Sequence, residues 1–277
     1  MASLPIPVRL KELILSIFPR LGYRLISLNH DNESSKGVGP AYLVQAALIE
    51  RLKLEAPVIF DVGSNTGQAY QIYRKVFPAA RIYCFEPFPE SFQSLAREVA
   101  RDQSVSLHPL ALSSRQGWTA FNVNSNSVTN SLLATGSGAN NFWGNGLLET
   151  QETIKVEQTT LDAFVSDNSI PYISVLKLDV QGSEYDVLQG AVRMLSSESI
   201  DIVYLEIILT PTYQGQHSLQ DYLTIFAAHG YELVDFYNPY RNGDLLGQLD
   251  AIFVSKAVHQ RVFSSAAAHI DPGLQGP

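Results

Sequence analysis

The chain has 277 residues, 45% hydrophobic and 17% charged, enough apolar material for one large core with additions and too apolar for a disordered polymer. A formal net charge of −8 speaks against nucleic acid as partner, because neutralising phosphates takes clustered Lys and Arg. A single cysteine, Cys84, excludes an internal disulfide and, with six scattered histidines, a Cys/His zinc site, and no apolar run approaches the ~20 residues of a membrane span.

Residues 1–30 carry Leu10, Leu13, Ile14, Ile17, Phe18 and Leu21 at helical spacing among Arg9, Lys11, Arg20 and Arg24. The pattern predicts a basic amphipathic helix that packs on its own domain or makes a peripheral contact with a membrane surface or partner. Its apolar stretch is too short for a signal peptide, so a cytoplasmic location is expected. Residues 31–40 read as a loop and 42–54 as a second helix.

Val58-Ile59-Phe60 is a short apolar run without polar alternation, the pattern of a strand covered on both faces in a parallel sheet. It runs through Asp61 into a turn bracketed by Gly63 and Gly67, and a helix follows to Phe77, halted by Pro78. Such a turn presents backbone N–H groups to a nucleotide-like ligand. It is not a triphosphate loop, because Gln68-Ala69 stands where Lys and Ser/Thr would be needed, and it does not spell the dinucleotide fingerprint. A second strand, 81–85, ends at Glu86-Pro87, 19 residues beyond Gly67, where an acid commonly accepts hydrogen bonds from ribose hydroxyls. A helix then spans about 90–101.

A third strand at 105–107 leads to Ala111, Leu112 and Ser113, an apolar edge and a polar contact for a purine, and another stretch covers 118–123. Residues 124–151 change character, with repeated Asn among Ser and Gly, and read as a long inserted loop that cannot fill a core. Phe142 and Trp143 among these asparagines suit a polyhydroxylated ligand or anchor the loop. An edge strand is expected at 153–158, a short helix at 161–165 and a central strand at 172–178 ending in Asp179. Ser183 reads as the N-cap of the next helix, with Asp186 completing a variant capping box. Strand 201–206 again ends in an acid, Glu206, so Asp61, Glu86, Asp179 and Glu206 are all expected at one edge, where open α/β sheets bind ligands. The last two strands are expected to pair antiparallel around a turn at 238–243, and the chain from about Val258 to fray.

Four ordered motifs, Phe60-Asp-Val-Gly-Ser-Asn-Thr-Gly67, Phe85-Glu-Pro-Phe-Pro-Glu-Ser-Phe92, Leu178-Asp-Val-Gln-Gly-Ser-Glu184 and Asp250-Ala-Ile-Phe-Val254, resemble the FkbM family of S-adenosylmethionine-dependent methyltransferases over roughly residues 57–255. The resemblance implies an α/β, Rossmann-like class I methyltransferase fold with a mostly parallel seven-stranded sheet and an antiparallel last strand. That domain, 57–256 with its insertion at 124–151, would follow an N-terminal helical extension, 1–56, and precede a tail, 257–277. It further implies O-methylation of a sugar, glycolipid or natural-product hydroxyl. Carried over by position, Asp61, Gly63, Ser64, Asn65 and Gly67 would hold the methionine end of S-adenosyl-L-methionine, Glu86 and Pro87 the ribose side, and Ala111, Leu112 and Ser113 would lie near adenine. Asn65 stands where a common form of this turn has glycine, and Asn tolerates left-handed backbone better than other residues with a Cβ.

A hydroxyl needs a base or a metal to lose its proton during methyl transfer. Asp179 and then Glu206 are the first candidates, either as bases or together as ligands of Mg²⁺, as in some sugar-modifying members of that family; Asp179 is equally placed to hold the cofactor's amino group. His217 is an alternative base on the acceptor side, and His108 is read as structural. Asn130, Trp143 and Tyr213 are candidate acceptor contacts. A small-molecule or glycan acceptor and no nucleic acid are expected, and a homo-oligomer is compatible with the sequence. Two rivals stand beside this reading. An NAD(P)-dependent oxidoreductase shares the ribose acid but lacks here a third glycine and a Tyr/Lys pair, and a non-catalytic binding module could keep the same fold.

Overall fold

The structure is a computed structural model that describes residues 38–144 and 146–263, so the helix expected at 1–30 and the tail beyond Phe263 lie outside the described residues. Helix α1 (Pro40–Leu52) starts with proline in its first turn and stops at Lys53 in left-handed conformation. Strand β1 (Val58–Val62), helix α2 (Gln68–Val76), strand β2 (Arg81–Phe85), helix α3 (Pro89–Glu98) and strand β3 (Val105–His108) then alternate. After short strands β4 (Ala111–Leu112) and β5 (Gly117–Asn124) come helix α4 (Ala139–Trp143) and strand β6 (Thr150–Thr159). The alternation resumes with α5 (Leu161–Asp167), β7 (Ile173–Leu178), α6 (Glu184–Gln189), α7 (Val192–Ser196), β8 (Ile200–Ile208) and α8 (Leu219–Ala228). The long hairpin β9 (Tyr231–Asn242) and β10 (Leu245–Ser255) and helix α9 (Lys256–Val262) complete the described chain.

The main sheet has seven strands in the order β3-β2-β1-β7-β8-β10-β9. Neighbours β3 through β8 pair in parallel, whereas β10 is antiparallel to both β8 and β9. Strand order therefore reverses between β1 and β7, and the crevice at the carboxyl ends of these two strands is the place where such sheets take ligands.

Alternate residues of each strand feed two cores. Phe60, Val62, Leu176, Leu178, Leu205 and Phe253 pack on one face, and Ile59, Ile82, Val175, Ile202 and Ile252 on the other, against Leu48, Ile49 and Tyr73 of α1 and α2. Helix α1 thus belongs to the core of the sheet. Asp61 falls on this second face of β1, and its register partner on β7 is Lys177, which explains how a carboxylate with no exposure sits mid-sheet.

Several expectations change in the structure. Strand β6 is the centre, not the edge, of a separate three-stranded sheet ordered β4-β6-β5. Segment 124–151 holds the 3₁₀ turn Ser127–Thr129 and α4, and buries Ala139, Phe142 and Leu148; asparagine side chains supply its internal bonds, which composition alone could not reveal. The turn expected at 238–243 is mostly strand, since β9 extends to Asn242 and the hairpin bends at Gly243-Asp244. Lys256–Val262 is a helix rather than a frayed tail, capped by Ser255 and anchored by buried Val258 and Val262. Ser183 makes no capping bond; Glu184 instead accepts the N–H of Val180 at 2.8 Å and of Gly182 at 3.0 Å.

Candidate active site

A cavity of about 580 Å³ opens at the carboxyl edge of the sheet. Of the residues expected at the cofactor, Gly63, Ser64, Asn65, Glu86, Pro87, Ala111, Leu112 and Asp179 line it. Asn130, Trp143, Tyr213 and Glu206, expected on the acceptor side, line the same space. Asp61, Gly67, Ser113 and His217 do not. Asp61 is fully buried beneath the turn, Gly67 caps α2 at φ 103°, and Ser113 donates its N–H to the Thr159 carbonyl at 2.9 Å. His217 stacks on Tyr185 with ring centroids 3.8 Å apart and pairs with Asp221 at 3.5 Å, which turns it away from the position expected of a base. His108 packs between Phe85 and Phe164, and burial holds its imidazole below its usual value, as suits a core residue.

The glycine turn works differently from the expected N–H cradle. Gly63 and Ser64 both donate to the Phe85 carbonyl, at 3.0 and 3.1 Å, and Gly67 donates to Ser64 at 2.9 Å. Asn65, at φ 45°, donates its N–H to Glu86 Oε2 at 2.8 Å while its side chain accepts from Ser91 at 2.9 Å. The turn is spent on locking β1 to β2 and on aiming Glu86. Phe88 N–H holds the other oxygen, Oε1, at 2.8 Å. Burial pushes the Glu86 carboxyl up to about 7 despite these two donors, and each oxygen keeps a lone pair for a ligand hydroxyl. Gly63 is required on two counts: its φ is +77°, and a Cβ there would overlap the Asp179 carbonyl.

Lys177, which sequence reasoning passed over, lines the cavity, 3.0 Å from Asp61 Oδ1, 3.5 Å from Asp179 Oδ2 and 3.2 Å from the Gly63 carbonyl. Burial draws its ammonium down, but Asp61 and Asp179 outweigh this and hold it above its ordinary value. A signal was available in the chain: Lys177 is the one charge in a fully buried strand whose other residues, Ser174 apart, are apolar.

At the acceptor end, Gln181 Nε2 donates to both Asp179 Oδ1 and Glu206 Oε2 at 2.9 Å, and Gln248 Nε2 donates to Glu206 Oε1 at 2.9 Å. Burial, then the negative charges of Asp179, Glu184 and Asp250, raise the Glu206 carboxyl well above its usual value. The single hydroxyl proton of Tyr213 is shared between the Thr129 carbonyl at 2.9 Å and Gln181 Oε1 at 3.2 Å, and the two carboxylates that its Nε2 meets set the amide's orientation. An N–H bridging two carboxylates occupies lone pairs that a divalent cation would take, and among the described residues no three His, Cys, Asp or Glu side chains gather to hold a metal. In this arrangement the Gln181 amide, with no ion, joins Asp179 and Glu206, the pair expected to share Mg²⁺, and it takes one oxygen of each.

The wall opposite is aromatic. Trp143 stacks on Tyr240 with centroids 5.2 Å apart and 15° between planes, and its Nε1 donates to Thr212 Oγ1 at 2.7 Å. Tyr42 of α1, Tyr240 and Gln248 of the β9–β10 hairpin also reach the cavity; all three come from segments outside the glycine and acid motifs.

The doubly wound sheet, with a glycine turn, a strand-end carboxylate on the next strand and a cavity at the switch point, is that of a class I fold, and with the family match that follows, the chain is an S-adenosylmethionine-dependent methyltransferase. The chain belongs to the family described as the methyltransferase FkbM domain, which matches residues 61–233. It is 28% identical over 208 residues to the 2-O-methyltransferase NoeI of Sinorhizobium fredii, covering 73% of this chain and 84% of that protein. It is also 28% identical over 155 residues to the hexuronic acid methyltransferase AglP of Haloferax volcanii, covering 55% and 56%. With the 31-O-demethyl-FK506 methyltransferase FkbM of Streptomyces tacrolimicus it shares 22% over 223 residues, covering 73% and 78%.

Proposed function

We propose that this protein methylates a hydroxyl of a sugar or other polyhydroxylated acceptor, with Glu86 binding the ribose and Asp179 taking the acceptor's proton. The carrying observation is that one cavity is lined by Glu86 together with Asp179 and Glu206. Leu110, Ala111, Leu112 and Phe85 offer the apolar surface a purine needs, and the Glu86 oxygens, each already held by one backbone N–H, suit a pair of vicinal hydroxyls. When bound, S-adenosylmethionine supplies an electrophilic methyl group on a sulfonium. The remaining task of the chain is alignment and removal of one proton.

Asp179 is the better placed of the two acids. Its side chain is 41% exposed, paired on one side with Lys177 and on the other with Gln181, so its position is fixed while it stays reachable. Glu206, raised by burial and by its acidic neighbours, holds its proton more readily and serves to anchor Gln181 and Gln248. Trp143 and Tyr240 provide the flat faces on which a sugar ring stacks through its C–H groups.

The test is transfer of a labelled methyl group from S-adenosylmethionine to a panel of methyl glycosides, alongside calorimetry. Expected are micromolar binding of S-adenosylhomocysteine, no binding of NAD, and methylation of at least one glycoside. Asp179→Asn is expected to lower kcat by ~10²-fold or more while leaving S-adenosylhomocysteine affinity within a few-fold. A fully active Asp179→Asn enzyme would remove the base assignment, and absent cofactor binding would remove the reading altogether.

A further inference from the structure

Helix α1 precedes the residues covered by the family match, yet Tyr42 in its first turn lines the cavity. The helix is seated by buried Ala41, Gln45, Leu48, Ile49 and Leu52. The Tyr42 ring is held edge-on by Tyr73 of α2, with centroids 5.1 Å apart, and by Tyr204 of β8 at 5.5 Å. Among the described residues its hydroxyl has no hydrogen-bond partner, and it is not one of the polar atoms sealed from water. Burial raises the phenol; of the charges it senses, Lys177 lowers it and then Asp61 and Asp179 raise it. Tyr42 is therefore a protonated donor on the side of the cavity where Lys177 meets the Gly63 turn.

The carboxylate of the cofactor's methionyl part needs donors of this kind. The glycine turn does not supply them from Gly63, Ser64, Asn65 or Gly67, because those N–H groups go to Phe85, Glu86 and Ser64. The Ser64 hydroxyl is spent on the Asp61 carbonyl at 2.7 Å, and the Lys177 ammonium on Asp61, Asp179 and the Gly63 carbonyl. Asn65 has its side chain drawn to Ser91 of α3. Gln68, the first residue of α2, is exposed, lines the cavity and makes no side-chain hydrogen bond among the described residues. Ile72, one turn further along α2, lines the cavity as well, and Tyr73 beside it carries the Tyr42 ring, so Tyr42 and Gln68 border the same stretch of wall. The acids that line the cavity, Glu86, Asp179 and Glu206, belong to the ends of β2, β7 and β8, whereas these two donors stand on α1 and α2.

We propose that the Tyr42 hydroxyl and the Gln68 side-chain amide hold the methionyl carboxylate of S-adenosylmethionine, so that α1, outside the matched domain, completes the cofactor site. This deepens the cofactor reading, in which Glu86 takes the ribose. In the cofactor's own covalent chain the sulfonium lies between ribose and methionyl carboxylate, so anchoring both fixes the methyl group that is transferred.

Calorimetry tests this with S-adenosylhomocysteine and its decarboxylated analogue, S-adenosyl-3-thiopropylamine, which lacks only the carboxylate. The wild-type protein is expected to bind S-adenosylhomocysteine at least ~10-fold more tightly than the analogue. Tyr42→Phe keeps the ring on Tyr73 and Tyr204 and removes only the hydroxyl. It is expected to weaken S-adenosylhomocysteine ~10-fold or more and the analogue less than about twofold, and Gln68→Ala to act in the same sense by ~3- to 10-fold. Equal wild-type affinity for the two ligands overturns the proposal. So does an unchanged S-adenosylhomocysteine affinity in Tyr42→Phe, or an equal loss on both ligands, which would make the hydroxyl a structural or adenosine contact. Gln68→Ala without effect removes Gln68 from the site. Failure of the wild type to bind either ligand removes the cofactor reading itself, a result distinct from all of these.

Discussion

Glu86 and Glu184 are buried carboxyls, both pushed up to about 7, chiefly by desolvation. In the unfolded chain a glutamate titrates near 4.3, so between these values the native state holds more protons than the unfolded one. Stability of the ligand-free protein is therefore expected to fall as pH rises from about 5 to 7 and to level off above that, by at most about 3 kcal/mol per group. His108, held low by burial, acts in the opposite sense over part of this window, so the net slope is smaller. Urea midpoints between pH 5 and 8 measure it, and Glu184→Gln should flatten it; a rising midpoint would contradict the assignment. Cofactor binding runs the other way, because the ionised Glu86 is the stronger acceptor of ribose hydroxyls. S-adenosylhomocysteine is expected to bind more tightly at pH 8 than at pH 6, and Glu86→Ala to weaken binding by roughly 1.5–3 kcal/mol, about 10- to 150-fold, by calorimetry. Asn65 was legible as a residue able to turn left-handed, and it does so. That its N–H would go to Glu86, not to a ligand, was not legible, since the partner lies on another strand.

Helix α4 has only Ala139–Trp143, far too short to be stable alone, and is held by what it docks on. Phe142 covers Gly247 on β10 so closely that a Cβ there would overlap its ring, and Asn242 Nδ2 of β9 donates to the Phe142 carbonyl at 2.8 Å. Gly247→Ala is expected to push Phe142 and the adjoining Trp143 off the hairpin. The acceptor KM should then rise ~10-fold or more, with S-adenosylhomocysteine affinity within about twofold, a split that steady-state kinetics and calorimetry resolve. The strand-turn-helix units from 58 to 98 were readable from apolar runs, glycines and prolines because those signals are local. Segment 124–151 was not, because its order comes from asparagine side chains and from contact with a hairpin a hundred residues away.

Across the whole molecule, the Asp61–Lys177 pair joins β1 to β7 at the point where strand order reverses, where Lys177 lines the cavity. Removing one partner strands a buried charge, so Lys177→Met is expected to destabilise the fold by about 3–5 kcal/mol, whereas Asp61→Asn with Lys177→Met should recover most of that loss in denaturant unfolding. A double variant as unstable as the single one would show that Lys177 supports the sheet through something other than this charge pair. Cofactor affinity should remain lowered in the double variant, because Lys177 also holds the Gly63 carbonyl and Asp179.

The sequence by itself determined the alternating strands and helices, the parallel sheet with an antiparallel end, and three of the four acids, Glu86, Asp179 and Glu206, that face the cavity, since these follow from side-chain period, turn chemistry and chain order. Tertiary structure alone decided that the fourth acid, Asp61, would be a buried partner of Lys177, that His217 would stack on Tyr185 outside the cavity, and that Gln181 would bridge Asp179 and Glu206. Those outcomes depend on which residues of distant strands fall opposite one another and on how much water is excluded between them. Neither quantity exists until the sheet has closed around its core.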